Sequence, residues 1–158
     1  MKSEVKISEN RLEITRIFNA PRDRVFAAWK QVDLLQQWWG CKDTIKVHST
    51  MEFKVGGSFT HEMRIQGAGE MSFAGVYDEI IEPERIAYHA QFGPITVRVT
   101  VDFITLGDQT KIVLTQDGLP SSEICNRVSE GTTDAFDKLD QLLARQQPEV
   151  AASYAIER

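Results

Sequence analysis

Cysteine is scarce in this 158-residue chain, which has only Cys41 and Cys125, far apart and without a partner at C-x-x-C spacing. That pattern offers neither a disulfide framework nor a zinc-ligand set, so two reduced thiols and no bound metal are expected. Long apolar runs are missing too: none approaches the roughly 18 residues of a membrane span. The opening "MKSEVKISENRLEITRIF" is broken throughout by charge and does not read as a signal peptide, which makes the cytoplasm the default location. Basic residues are not in excess, with 18 Lys and Arg against 23 Asp and Glu and a net charge of −5. Such a balance gives no general attraction to phosphate backbones, and nucleic-acid binding is not expected. Gly56-Gly57 lacks the Gly-x-x-x-x-Gly-Lys-Ser/Thr context of a phosphate loop and suits a β-turn. Internal repeats and low-complexity tracts are also absent, and no cofactor motif is present.

What remains is an ordinary globular composition, 42% hydrophobic and 26% charged. One domain over residues 1–158 is the simplest expectation, with a core of about 5–146 and a tail at 147–158. Val5 to Phe18 has strand character, with Leu12, Ile14 and Phe18 at even spacing. Pro21 suits the first turn of a short helix over Arg22 to Lys30, whose apolar face is Val25, Phe26, Ala28 and Trp29. A second short helix follows, with Asp33 as N-cap, Gln36 completing a capping box, and Gly40 at its end.

From Thr44 the hydrophobic period changes to two. Ile45, Val47, Met51 and Phe53 alternate, then Phe59, His61, Met63 and Ile65, then Met71, Phe73 and Tyr77. Pro83 breaks "IIEPER". Ile86, Tyr88 and Phe92 mark a further strand, and Val97, Val99, Val101 and Phe103 give the clearest alternation in the chain. Gly107-Asp108 signals a hairpin into Ile112 and Leu114. The last pattern is helical, with Val128, Ala135, Phe136, Leu139, Leu142 and Leu143 near a 3.6-residue repeat between Ser122 and Arg145. Whether the tail "PEVAASYAIER" frays or adds a helix is not decided by its residues. Strands segregated from helices indicate an α+β protein with an antiparallel sheet. One long helix must cover one face of a strongly curved sheet, and a space left between them is where a ligand would sit.

Several strings occur together in order between about Leu12 and Leu143. They are Arg16, Phe18, Ala20 and Pro21; Trp38, Trp39 and Gly40; Glu52, Lys54, Gly56 and Gly57; and Gly75, Tyr77, Glu79, Ile80, Pro83 and Arg85. Together they resemble the START-like, helix-grip (SRPBCC) superfamily, in the branch of the activator of heat shock protein 90 ATPase. The resemblance implies a sheet of six to seven strands wrapped around the C-terminal helix, with a hydrophobic cavity between them. Relatives of this kind include lipid and polyketide carriers, polyketide cyclases and chaperone co-factors. Three positions depart from the pattern: Cys41 stands where proline is common, Lys54 where arginine is common, and Thr132 where a tryptophan often follows the glycine. The last change reshapes or enlarges the space beneath the helix.

Candidate chemistry is sparse. His61 shares parity with Phe59 and Met63 and points to the apolar side, where it would recognise a ligand, transfer a proton or serve as a hydrogen-bonded structural group. Glu79 nominally faces the same way as Tyr77 and is the other weak catalytic candidate, against a structural pair with Arg85 or Arg16 or a bulge that turns it outward. The ligand space is expected to be lined by Trp39, Met51, Phe53, Phe59, His61, Met63, Phe73, Tyr77, Tyr88, Phe92, Val99, Val101, Phe103 and Phe136. That inventory describes a binding space better than a reaction centre.

The leading reading is therefore a small soluble protein holding an apolar or aromatic molecule, lipid-like or polyketide-like. A chaperone ATPase co-factor is the alternative, weakened because the chain lacks the additional N-terminal domain of full-length eukaryotic activators. A cyclase-like enzyme comes third. Monomer and homodimer both stay open.

The adjacent indoles in "QQWWGC" pose their own problem. On a helix Leu34 pairs with Trp38 and Leu35 with Trp39 at i, i+4, giving a wide apolar arc. One indole is expected to anchor the short helices to the sheet, and the other, Trp39, to reach the cavity mouth.

Overall fold

Buried and exposed side chains alternate along most strands of this computed structural model, which describes the backbone of residues 2–92 and 94–157 and the side chains of 2–91 and 94–146. Two strands, β1 (Glu4–Ser8) and β2 (Arg11–Phe18), precede two short helices, α1 (Arg22–Lys30) and α2 (Val32–Leu35). Six strands follow: β3 (Thr44–Met51), β4 (Ser58–Ile65), β5 (Gly69–Ile81), β6 (Arg85–Phe92), β7 (Ile95–Leu106) and β8 (Gln109–Asp117). The chain ends in a long helix, α3 (Ser122–Glu157), whose backbone carries straight through the tail. All eight strands form one antiparallel sheet in the order β1-β2-β8-β7-β6-β5-β4-β3. This is the helix-grip arrangement, with a curved sheet on one side of α3.

The extra strand comes from the N-terminus. The segment read as one strand folds back at Glu9-Asn10, with Glu9 at φ 49°, and Ser8 faces Arg11 across the turn. Parity alone could not show this, because β1 is largely exposed and carries little apolar signal. Asn10 Nδ2 fixes the turn by donating to Leu119 O at 2.6 Å.

The capping box is a second correction. Asp33 lies inside α2, Gln31 occupies the N-cap position, and no side chain caps the helix. Gln36 instead uses Oε1 to accept from the Ser49 backbone N–H at 2.8 Å, pinning α2 to β3. A four-residue helix is held by such tertiary contacts rather than by its own ends.

The core lies between the inner face of the sheet, α1 and α3. Leu12, Ile14 and Phe18 on β2 join Val97, Val99, Val101 and Phe103 on β7 and Phe136, Leu139, Leu142 and Leu143 on α3. Each such side chain contributes roughly 1.5–3 kcal/mol on burial. Arg16 sits on the inward row between Ile14 and Phe18, so it is a buried cation. Its guanidinium pairs with Asp137 at 2.8 Å and with Asp140, fastening β2 to α3. Arg24 does the same for α1, donating to Leu143 O at 2.9 Å and Gln146 Oε1 at 3.0 Å.

Candidate functional site

The paired indoles stand on a turn that continues α2. Leu35 O accepts from both Trp38 N–H and Trp39 N–H, at 3.2 and 3.1 Å, so the two residues leave the same carbonyl in different directions. Trp38 turns inward and is buried. Its Nε1 donates to Ala28 O at 3.0 Å, satisfying one of the carbonyls left open at the end of α1. Its ring rests 4.6 Å from that of Trp29. Trp39 is half-buried and turns toward the sheet, with its ring 4.4 Å from His61 and 5.9 Å from Phe73.

Gly40, at φ 89°, ends the turn, and a side chain there would meet Thr44 Oγ1 at 2.5 Å. α3 holds the following backbone. Lys138 Nζ donates to Trp39 O at 2.9 Å and to Cys41 O at 3.3 Å, and Asp134 Oδ2 accepts from Lys42 N–H at 3.2 Å. Partial burial lowers the Lys138 pKa.

Between this turn, the sheet and α3 lies an apolar hollow of about 320 Å³. That is near the lower end of the roughly 300–1,000 Å³ of small-molecule sites. Trp29, Trp38 and Trp39 all line it, together with Met63 and Ile65 of β4, Met71 and Phe73 of β5, Tyr88 of β6, and Leu114 and Gln116 of β8. α3 supplies Arg127, Val128, Gly131, Thr132, Ala135 and Phe136, and Gly40 and Cys41 complete the wall. Met71 and Arg127 are exposed and mark the rim. A wider groove of about 570 Å³ runs along β3–β5, lined by Lys46, His48, Glu62, Arg64 and Glu70. Opposite charges alternate there on solvated side chains, which makes it a poorer receptor for an apolar molecule than the hollow walled by aromatic and aliphatic groups.

Of the residues expected around a ligand, Trp39, Met63, Phe73, Tyr88 and Phe136 line this hollow. The others sit elsewhere. Phe59 is buried in an aromatic cluster with Tyr77 and Tyr88 at 5.0 and 5.1 Å, and Phe53 packs between Phe26 and Tyr77. Val99, Val101 and Phe103 fill the closed core under α1 and α3, and Met51 is half-buried at the end of β3. The side chain of Phe92 falls outside the described residues. Inward parity was read correctly for most of these positions, but parity does not say where along a strand α3 lies against the sheet. Trp29, Trp38, Ala135 and Gln116 also line the hollow and escape a parity reading for the same reason, whereas Thr132 lies on the wall where its departure from the family pattern points.

His61 is buried behind Trp39, Phe59 and Phe73 rather than on the hollow's wall. Its Nδ1 shares a hydrogen bond of 2.8 Å with Ser49 Oγ. Burial holds its pKa down to about 4, so the ring is neutral at ordinary pH. Glu79 takes the outward, Arg85-paired orientation weighed against its catalytic role. β5 carries an irregularity between Tyr77 and Glu79, where Asp78 is the extra residue, and parity is lost across it. Glu79 ends 45% exposed and 3.4 Å from Arg85, which also meets Asp102 at 2.7 Å. Cys125 is buried against Glu9 O and burial raises its pKa, the reverse of an activated thiol. Among the described residues no group of His, Cys, Asp and Glu is arranged to hold a metal ion, and no helix is long and apolar enough to cross a membrane.

Comparison with known proteins adds family and fold. The sequence model described as "Activator of Hsp90 ATPase homolog 1-like protein" matches residues 19–144. Among curated proteins, none matches the chain by sequence. A crystal structure from Chromobacterium violaceum superposes with a TM-score of 0.77 at 22% identity, covering 85% of this chain and 97% of that one. A Rhodobacter sphaeroides protein gives 0.78 at 18% identity, over 91% and 99% of the two chains. CalU16 from Micromonospora echinospora gives 0.70 at 16% identity, over 97% and 93%. At these identities the likeness is one of fold.

Proposed function

Because this chain belongs to the family of Activator of Hsp90 ATPase homolog 1-like proteins, we propose that it is a binding protein for an apolar or aromatic small molecule. The molecule is held in the hollow between the sheet and α3. One observation carries the reading: all three tryptophans of the chain converge on a single open space with Phe73, Phe136 and Met63. Trp29 and Trp38 are core rings whose edges reach the space, and Trp39 stays half-buried beside them, so the three make an apolar wall that the fold does not close. Catalysis draws less support, since His61 is neutral, hydrogen-bonded and behind the wall, and Glu79 is paired on the outside.

Convergence of the indoles also supplies the assay. A bound aromatic molecule changes the intrinsic tryptophan emission, and native mass spectrometry of cell-purified protein reports any retained ligand. Thr132→Trp places a large ring into the hollow from α3, so it should abolish binding while Tm stays within a few degrees of the parent. No emission change and no thermal shift across a panel of lipids and aromatic polyketides would overturn the proposal. If the host chaperone's ATPase were stimulated in the absence of any such shift, the function would belong to the outer surface.

A further inference from the structure

Two polar side chains in the hollow have nothing to bond to. Tyr88 is 7% exposed and Gln116 is 6% exposed, both line the space, and among the described residues neither the phenol hydroxyl nor the carboxamide has a hydrogen-bond partner. Their polar atoms are not sealed off, since the fully buried side-chain atom without a partner among the described residues is Arg16 Nε; the hydroxyl and the carboxamide instead face the space of the hollow, where they meet whatever fills it. The sheet places them deliberately close. Tyr88 on β6 stands opposite Val99 on β7, and Val99 stands opposite Gln116 on β8, so the three share one row on the inner face. With neighbouring strands roughly 4.8 Å apart, the two polar residues start about 10 Å from each other, with an apolar valine between them.

We propose that Tyr88 and Gln116 form the recognition pair of the hollow, and that its ligand is an uncharged aromatic or alicyclic molecule carrying a ketone or hydroxyl oxygen. This rests on the binding function proposed above and narrows its ligand class. The phenol donates or accepts one bond, and the carboxamide offers two N–H donors and a carbonyl acceptor. Both therefore satisfy a neutral oxygen of either polarity while the indoles and Phe73 enclose the ring system. The charge distribution excludes an anion at this depth. Arg127 is the one charged side chain on the wall among the described residues, and it is exposed at the rim, 3.3 Å from Glu123. A carboxylate or phosphate seated against Tyr88 and Gln116 would be a buried ion without a counter-charge, which is strongly disfavoured.

Three probes of nearly one shape separate the classes: acetylnaphthalene, ethylnaphthalene and naphthoate. Calorimetric titration of the parent protein should show the ketone binding about tenfold or more tighter than both the hydrocarbon and the anion, as one or two hydrogen bonds predict. Gln116→Leu and Tyr88→Phe should each reduce that preference, leaving ethylnaphthalene affinity unchanged or improved. A second readout distinguishes recognition from architecture. Since neither group has a protein partner, both variants in the free state should keep or raise the parental Tm, whereas a structural role would lower it. Equal binding of all three probes, tightest binding of naphthoate, or an unaltered preference in both variants would overturn this inference while leaving a binding function standing. Failure of every probe, with failure of the wider lipid and polyketide panel, would remove both.

Discussion

Acidification should destabilise this protein through one buried ring. His61 lies against Trp39, Phe59 and Phe73, is hydrogen-bonded to Ser49 Oγ, and has its pKa held down to about 4 from an ordinary 6.5. Below pH 6.5 the unfolded chain takes up a proton on this residue that the folded chain refuses. Stability contributed by the neutral ring is therefore fully present above 6.5, falls as the pH drops, and levels off below about 4. Over that interval the loss amounts to about 3 kcal/mol, of which about 2.5 kcal/mol has gone by pH 4.5. That is a large share of the roughly 5–15 kcal/mol that holds a typical domain folded. Urea unfolding at pH 7.5 and 4.5 should show the parent losing about 2.5 kcal/mol more than His61→Gln, which cannot titrate. Carboxylate contributions common to both proteins cancel in that difference. Nuclear magnetic resonance of the imidazole protons should place the midpoint near 4. Parallel losses in the two proteins, or a midpoint near 6.5, would show that the ring is open to water and that its enclosure is wrongly described.

Other perturbations test the frame around the hollow. At Gly75 a Cβ would meet Phe59 Cζ at 2.5 Å as well as the His89 carbonyl, so Gly75→Ala should cost about 2–3 kcal/mol and lower Tm by roughly 5–10 °C in calorimetry. Arg16→Met removes the buried cation that Asp137 and Asp140 share and should cost about 1.5–3 kcal/mol in urea unfolding. Glu79→Gln should change stability by no more than about 0.5 kcal/mol, because its Arg85 contact is exposed and Arg85 keeps Asp102.

Most of the architecture is written locally in the chain. A period of two from Thr44 onward and a 3.6-residue repeat after Ser122 predict the meander and the closing helix, since each pattern has one face to bury. Gly75, in the sequence only one member of the family string, is required by tertiary packing, because a side chain there would meet the His89 carbonyl and the ring of Phe59. Local reasoning failed where a partner came from far away. Asp33 and Gln36 have the spacing of a capping box, yet Gln36 serves the Ser49 N–H because α2 rests on β3. The outward turn of Glu79, by contrast, is among the readings the sequence leaves open, and the extra residue Asp78 produces it.

By itself, then, the sequence determined most of the inward-facing positions, the antiparallel meander with its closing helix, and that two neighbouring indoles must serve different surfaces. Only the tertiary structure decided which inward residues meet a space and which meet one another. Strand parity is a property of consecutive residues, whereas a hollow is set by where α3 lies across the sheet. That placement depends on distant contacts such as Arg16 with Asp137 and Lys138 with the carbonyls of Trp39 and Cys41. Tyr88 and Gln116, separated by many residues along the chain, become neighbours in function only through the register of β6, β7 and β8.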